Sequence, residues 1–115
     1  MEATDRPAER LEGEFDYIVV GAGSAGCVLA NRLSENGKYT VALVEAGGSD
    51  KHFWVKVPLG VGKMLQNPRY VWEYWTNPEN GMQGQKVFWP RGRMLGGSSS
   101  VNGMIYVRGE PARYN

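Results

Sequence analysis

Three glycines, Gly21, Gly23 and Gly26, stand at the spacing G-x-G-x-x-G, with Ser24 and Ala25 between the last two. Each glycine has a distinct use in holding a pyrophosphate. Gly21 permits a tight turn, Gly23 lets the backbone come close to the phosphates, and Gly26 lets a helix pack closely against a strand. The helix that follows leaves its first backbone N–H groups without internal partners, at the positive end of its dipole, where they can hold phosphate oxygens. By itself such a turn is a weak signal, because glycine-rich turns are common. Its meaning depends on what flanks it.

Ile18, Val19 and Val20 are a continuous apolar run leading into the turn, as expected of a strand covered on both faces. Beyond it Ala25, Val28, Leu29, Ala30 and Leu33 predict a helical apolar stripe, closed by Asn36 and Gly37. Tyr39 to Val44 predicts a second buried strand, which ends on Glu45, 19 positions after Gly26. A βαβ dinucleotide fold places there the carboxylate that hydrogen-bonds a ribose, and an acid at that point disfavours a 2′-phosphate. The unit therefore predicts an α/β, Rossmann-like start. It leaves nicotinamide and flavin dinucleotides both open.

A second stretch, from Arg91 to Gly109, combines Gly96-Gly97, the serines Ser98 to Ser100, Asn102 and the apolar run Met104 to Val107. The glycine pair allows close backbone approach, and the serines can cap a helix start. Physically this suits a second backbone wall against a planar, polar-edged cofactor. A plain Gly/Ser linker would not carry Arg93, Asn102 and the apolar run.

The rest of the chain must position these two stretches. Its 115 residues suit one small domain or part of a larger one, and a composition 42% hydrophobic and 22% charged is globular. Net charge is +1 with the basic residues dispersed, so no nucleic-acid partner is indicated. Residues 1–14 read as a flexible polar leader, neither a signal sequence nor a membrane span. A cytoplasmic protein is the default expectation, with peripheral membrane association left open. From Gly47 onward an inserted loop is expected, with a short helix near Val61 to Gln66. A β-hairpin follows, Val71–Thr76 against Gln85–Pro90, turning through Asn77 to Gly81. All four tryptophans fall between 54 and 89, and hairpin core is favoured for them over the lining of a cavity. Cys27 is read as a small packed thiol. His52, the single histidine, is read as a solvated loop residue, and no metal site is expected.

Taken together, the blocks 15–47 and 90–115 resemble the glucose-methanol-choline (GMC) family of FAD-dependent oxidoreductases, the second block matching its signature Gly-Arg-x-Leu-Gly-Gly-Ser-Ser-x-Val-Asn. The choline-dehydrogenase-like alcohol dehydrogenases look like the nearest branch. The resemblance implies FAD, with Gly21, Gly23, Ser24, Ala25 and Gly26 at the pyrophosphate and Glu45 on the adenosine ribose. It further implies Met94, Ser98, Asn102, Gly103, Met104 and Ile105 near the flavin. Family members with covalently attached flavin carry His before the signature Asn; Val101 stands there, implying non-covalent FAD. The implied reaction is oxidation of an alcohol CH–OH, choline or another primary alcohol, with hydride passing to the flavin N5. The family's catalytic histidine lies in a C-terminal region beyond Asn115. Residues 15–115 are thus expected to be an incomplete FAD-binding domain without its substrate domain or catalytic residues, inactive alone. Kept as alternatives are a lyase or decarboxylase of the same family, a nicotinamide-dependent dehydrogenase and a non-catalytic nucleotide-binding module.

Overall fold

A computed structural model describes residues 12–113. Most of the expected leader, residues 1–11, lies outside the described residues.

The first unit is the βαβ start the sequence predicts. Strand β1 (Tyr17–Val20) runs into helix α1 (Ser24–Ser34), which returns the chain to β2 (Val41–Val44). The strands pair in parallel, Tyr17 opposite Val41 through Val20 opposite Val44. Gly37, in the left-handed region at φ +67°, turns the chain after α1. At the mouth of the pair Asp16 and Thr40 lock the register. Thr40 donates from its backbone N–H at 2.7 Å and from its hydroxyl at 2.9 Å to Asp16 Oδ2. These bonds, the backbone one first, hold the Asp16 carboxyl below its ordinary value of 3.8.

Burial departs from expectation. No residue of α1 is fully buried, and Val28 and Leu29 are exposed although their spacing reads as part of a buried stripe. Ile18 and Val20 are 66% and 84% exposed. One helix on two strands covers a single side, whereas apolar runs of this kind suit a sheet covered on both.

The core forms elsewhere, under the segment read as inserted loop. Met64, Val71, Met94 and Val101 are buried together, with Trp54, Val55, Leu65 and Tyr70 packed around them. The short helix expected near Val61–Gln66 is α2 (Val61–Met64), preceded by 3-10 turns at Phe53–Val55 and Pro58–Gly60. His52 is not a solvated loop residue. Its Nδ1 accepts the Trp54 N–H at 3.3 Å and its ring lies 4.9 Å from that of Tyr70.

The hairpin is present but short in regular pairing. Strand β3 (Val71–Trp72) meets β4 (Arg91–Gly92) antiparallel, and Trp75 bridges to Phe88. Backbone bonds from Arg93 to Tyr70, Trp89 to Tyr74 and Thr76 to Val87 continue the same register. Pro90 is tolerated inside it because alternation along the strand aims the position-90 nitrogen away from the partner. The turn runs later than expected, through a 3-10 turn at Asn80–Met82 and left-handed Gln83 and Gly84. Of the tryptophans only Trp54 packs on the core. Trp72, Trp75 and Trp89 are exposed, on both faces of the short ribbon. Cys27 is also exposed rather than packed, its thiol donating to the Ala22 carbonyl at 3.2 Å.

Candidate functional site

At the end of β1 the chain turns through Gly21, at φ +96°, a conformation that disfavours any side chain. A Cβ on Gly26 would overlap the Gly21 carbonyl oxygen, so this glycine lets the helix start lie against the strand end. Gly23 differs from both. Its backbone is extended, with φ −77° and ψ −171°, and a Cβ there would meet nothing within 4 Å. Neither backbone conformation nor packing requires a glycine at 23. The N–H groups of Gly23, Ser24 and Ala25 have no partner among the described residues, and they sit where the dipole of the 11-residue α1 is positive.

Glu45 closes the other side. Its Oε2 accepts the Ala22 N–H at 2.8 Å and its Oε1 accepts the Gly47 N–H at 2.9 Å. A carboxylate offers about four acceptor positions, so two such bonds leave capacity for a ribose hydroxyl.

The second motif is folded against the first. Gly96 donates to the Ala22 carbonyl at 2.7 Å, and Leu95 donates to the Gly48 carbonyl at 3.0 Å. A Cβ on Gly97, whose φ is +55°, would lie 2.9 Å from the Gly23 Cα. Gly48 bridges to Met94, and a Cβ on Gly47 would overlap the Arg93 carbonyl. Two glycine-rich stretches some 70 residues apart thus make one backbone-walled cradle.

Within the second motif the side chains are placed less uniformly. Residues Gly97–Val101 form a 3-10 turn whose serines do not cap its start. Ser98 Oγ accepts the Gly92 N–H at 3.1 Å, while the Ser99 and Ser100 hydroxyls donate back to Gly96 and Leu95. A 3-10 start on left-handed glycines turns these hydroxyls toward the preceding loop instead of toward open N–H groups. Met94 is 0% exposed, its side chain committed to the core beside Met64 and Val71. Asn102 accepts the Met104 N–H at 2.6 Å, and Asn102, Gly103, Met104 and Ile105 are all exposed. No hydrogen bond among the described residues ties these four to the glycine turn. Arg93 lays its guanidinium 4.5 Å from the Trp72 ring centre and keeps a buried Nε without a hydrogen-bond partner.

Sequence reasoning missed Ala22 and Gly47. Ala22 occupies an unspecified position of the motif, yet both its backbone groups are bonded. Gly47 reads as the point where the pattern breaks; its closeness to Glu45 was the available signal. No cluster of His, Cys, Asp and Glu able to hold a metal occurs among the described residues.

Strand, glycine turn, helix, strand and terminal acid define a dinucleotide-binding βαβ unit, here walled by a second glycine motif. The GMC oxidoreductase family model matches residues 15–115, and the chain belongs to that family. It is 48% identical over 105 residues to an oxygen-dependent choline dehydrogenase of Vibrio vulnificus, covering 91% of this chain and 19% of that protein. To an alcohol dehydrogenase [acceptor] of Pseudomonas putida it is 47% identical over 100 residues, covering 87% and 18%. Among solved structures, pyridoxine 4-oxidase from Mesorbium loti superposes with a TM-score of 0.77 at 38% identity, over 86% of this chain and 19% of that one. The chain thus spans about one fifth of the length of these relatives.

Proposed function

We propose that residues 15–115 are part of the FAD-binding domain of an oxidoreductase that oxidises the CH–OH group of an alcohol, choline or another primary alcohol. The observation that carries this is the cradle itself: unpartnered N–H groups at the start of α1, with Gly23 open in front of them and Gly97 against its back. These residues fit a dinucleotide. Gly21, Gly23, Ser24, Ala25 and Gly26 hold the diphosphate, and Glu45 holds the adenosine ribose. Ser98, Asn102, Gly103, Met104 and Ile105 flank the flavin, while Met94 supports that wall from the core. FAD supplies a two-electron acceptor for the hydride equivalent of the alcohol. The attachment is non-covalent, since Val101 offers no nucleophile before Asn102.

The chain's part is binding and orientation. His52 caps a turn through its Nδ1, and the family resemblance puts the general base outside residues 15–115. The names of the relatives support an alcohol substrate and favour neither a lyase nor a non-catalytic module. No helix among the described residues is long and apolar enough to cross a membrane; a cytoplasmic location is part of the proposal.

The test is the visible spectrum of the complete gene product before and after acid precipitation, then anaerobic addition of choline and other primary alcohols. Flavin released to the supernatant and bleached by an alcohol is the expected result. A folded product without flavin would overturn the reading.

A further inference from the structure

The two peptide planes that enter the phosphate turn are tied from outside it. The Gly21–Ala22 peptide is held through its N–H by Glu45, at 2.8 Å. The Ala22–Gly23 peptide is held through its carbonyl by Gly96, at 2.7 Å. In a trans peptide N–H and C=O point opposite ways, so the Gly23 N–H is aimed away from Gly96. The second oxygen of Glu45 takes the Gly47 N–H, and Gly47 is packed on the Arg93 and Met94 backbone. One carboxylate therefore joins the turn, the end of β2 and the strand that carries the second motif.

We propose that Glu45 is a positioning residue for diphosphate binding: by holding the Ala22 and Gly47 N–H groups it sets the direction of the free N–H groups at Gly23, Ser24 and Ala25. This role is separate from any contact with a ribose and rests on the cradle being a diphosphate site. The sign of its effect is diagnostic. Through space, a carboxylate repels a diphosphate, so replacing it by an amide of the same shape should tighten binding. As a positioning group, it should do the reverse. Gln at 45 keeps one acceptor and sets an NH2 against the second backbone N–H.

The experiment uses apoprotein of the complete gene product, with 2′,3′-dideoxy-ADP and 2′,3′-dideoxyadenosine as probes, neither of which offers a 2′- or 3′-hydroxyl. Glu45→Gln is expected to weaken 2′,3′-dideoxy-ADP about tenfold, the loss of one charge-assisted hydrogen bond, and to leave 2′,3′-dideoxyadenosine unchanged. Unchanged or tighter binding of the diphosphate overturns the proposal, and so does equal weakening of both probes, which marks general damage. Amide exchange in the wild-type apoprotein needs no variant: Ala22 and Gly47 should be protected while Gly23 exchanges freely until ADP is added. Ala22 exchanging as fast as Gly23 overturns the proposal. Wild-type protein that fails to bind ADP at all overturns instead the diphosphate reading beneath it.

Discussion

Gly97→Ala tests the joint between the two motifs. The residue sits at φ +55°, and its Cβ would stand 2.9 Å from the Gly23 Cα, against about 3.5–4.0 Å for ordinary carbon contacts. A left-handed conformation costs an L side chain roughly 1–2 kcal/mol. Overpacking adds roughly 1–3 kcal/mol, and here the neighbour is backbone, which no rotamer change can relieve. A loss of about 2–5 kcal/mol follows from those two costs, and relief requires the Gly23 turn to retreat by more than half an ångström, on the order of the gap to normal contact. Cofactor binding should therefore suffer together with stability. The assay is thermal unfolding of the complete gene product, with and without flavin, together with flavin affinity from fluorescence. Gly62→Ala is the control, since a Cβ there meets nothing within 4 Å in α2; it should be neutral or stabilising by up to about 1 kcal/mol. Gly97→Ala behaving like Gly62→Ala in both measurements would refute the reasoning.

Other outcomes follow from the same geometry. Gly26→Ala replaces a helical glycine, ordinarily a gain of about 1 kcal/mol, but its Cβ overlaps the Gly21 carbonyl; the melting temperature should fall, and a rise would show that the turn yields. Met94→Ala empties a fully buried position in the core, and denaturant titration should show a loss of about 2–5 kcal/mol. For Asp16 the folded-state value is depressed by Thr40, so its stabilisation is complete above the unfolded value and fades as pH falls through the folded one. Melting temperatures of wild type and Asp16→Ala should thus differ at neutral pH and converge below pH 3.8; a constant difference would mean that the carboxylate is not the active group.

Local patterns specify the first unit almost completely. The strand, the turn, α1, β2 and the closing acid follow from glycine spacing and apolar periodicity, because each depends on neighbours within a few residues. The hairpin was legible as alternation, and its single register from Tyr70–Arg93 to Thr76–Val87 agrees with that pattern. Chain periodicity carries no information on which side of an element will be covered. Hence Ile18, Val20, Val28 and Leu29 look buried in the sequence and are exposed in the fold, while Met64 and Met94, in segments read as a short helix within the insertion and as site, form its core. The tryptophans were misplaced for the same reason.

What the sequence by itself determined is the identity of the cradle: three glycines, a helix start and Glu45, a combination whose meaning lies in residue type and spacing. Only the tertiary structure decided that Gly97 lies on Gly23, that Gly96 and Glu45 hold Ala22 between them, and that Gly47 rests on Arg93. Apart from the Glu45 carboxylate, those contacts join residues from 22 to 97 through backbone atoms, which every residue possesses alike, and so leave no side-chain pattern to read.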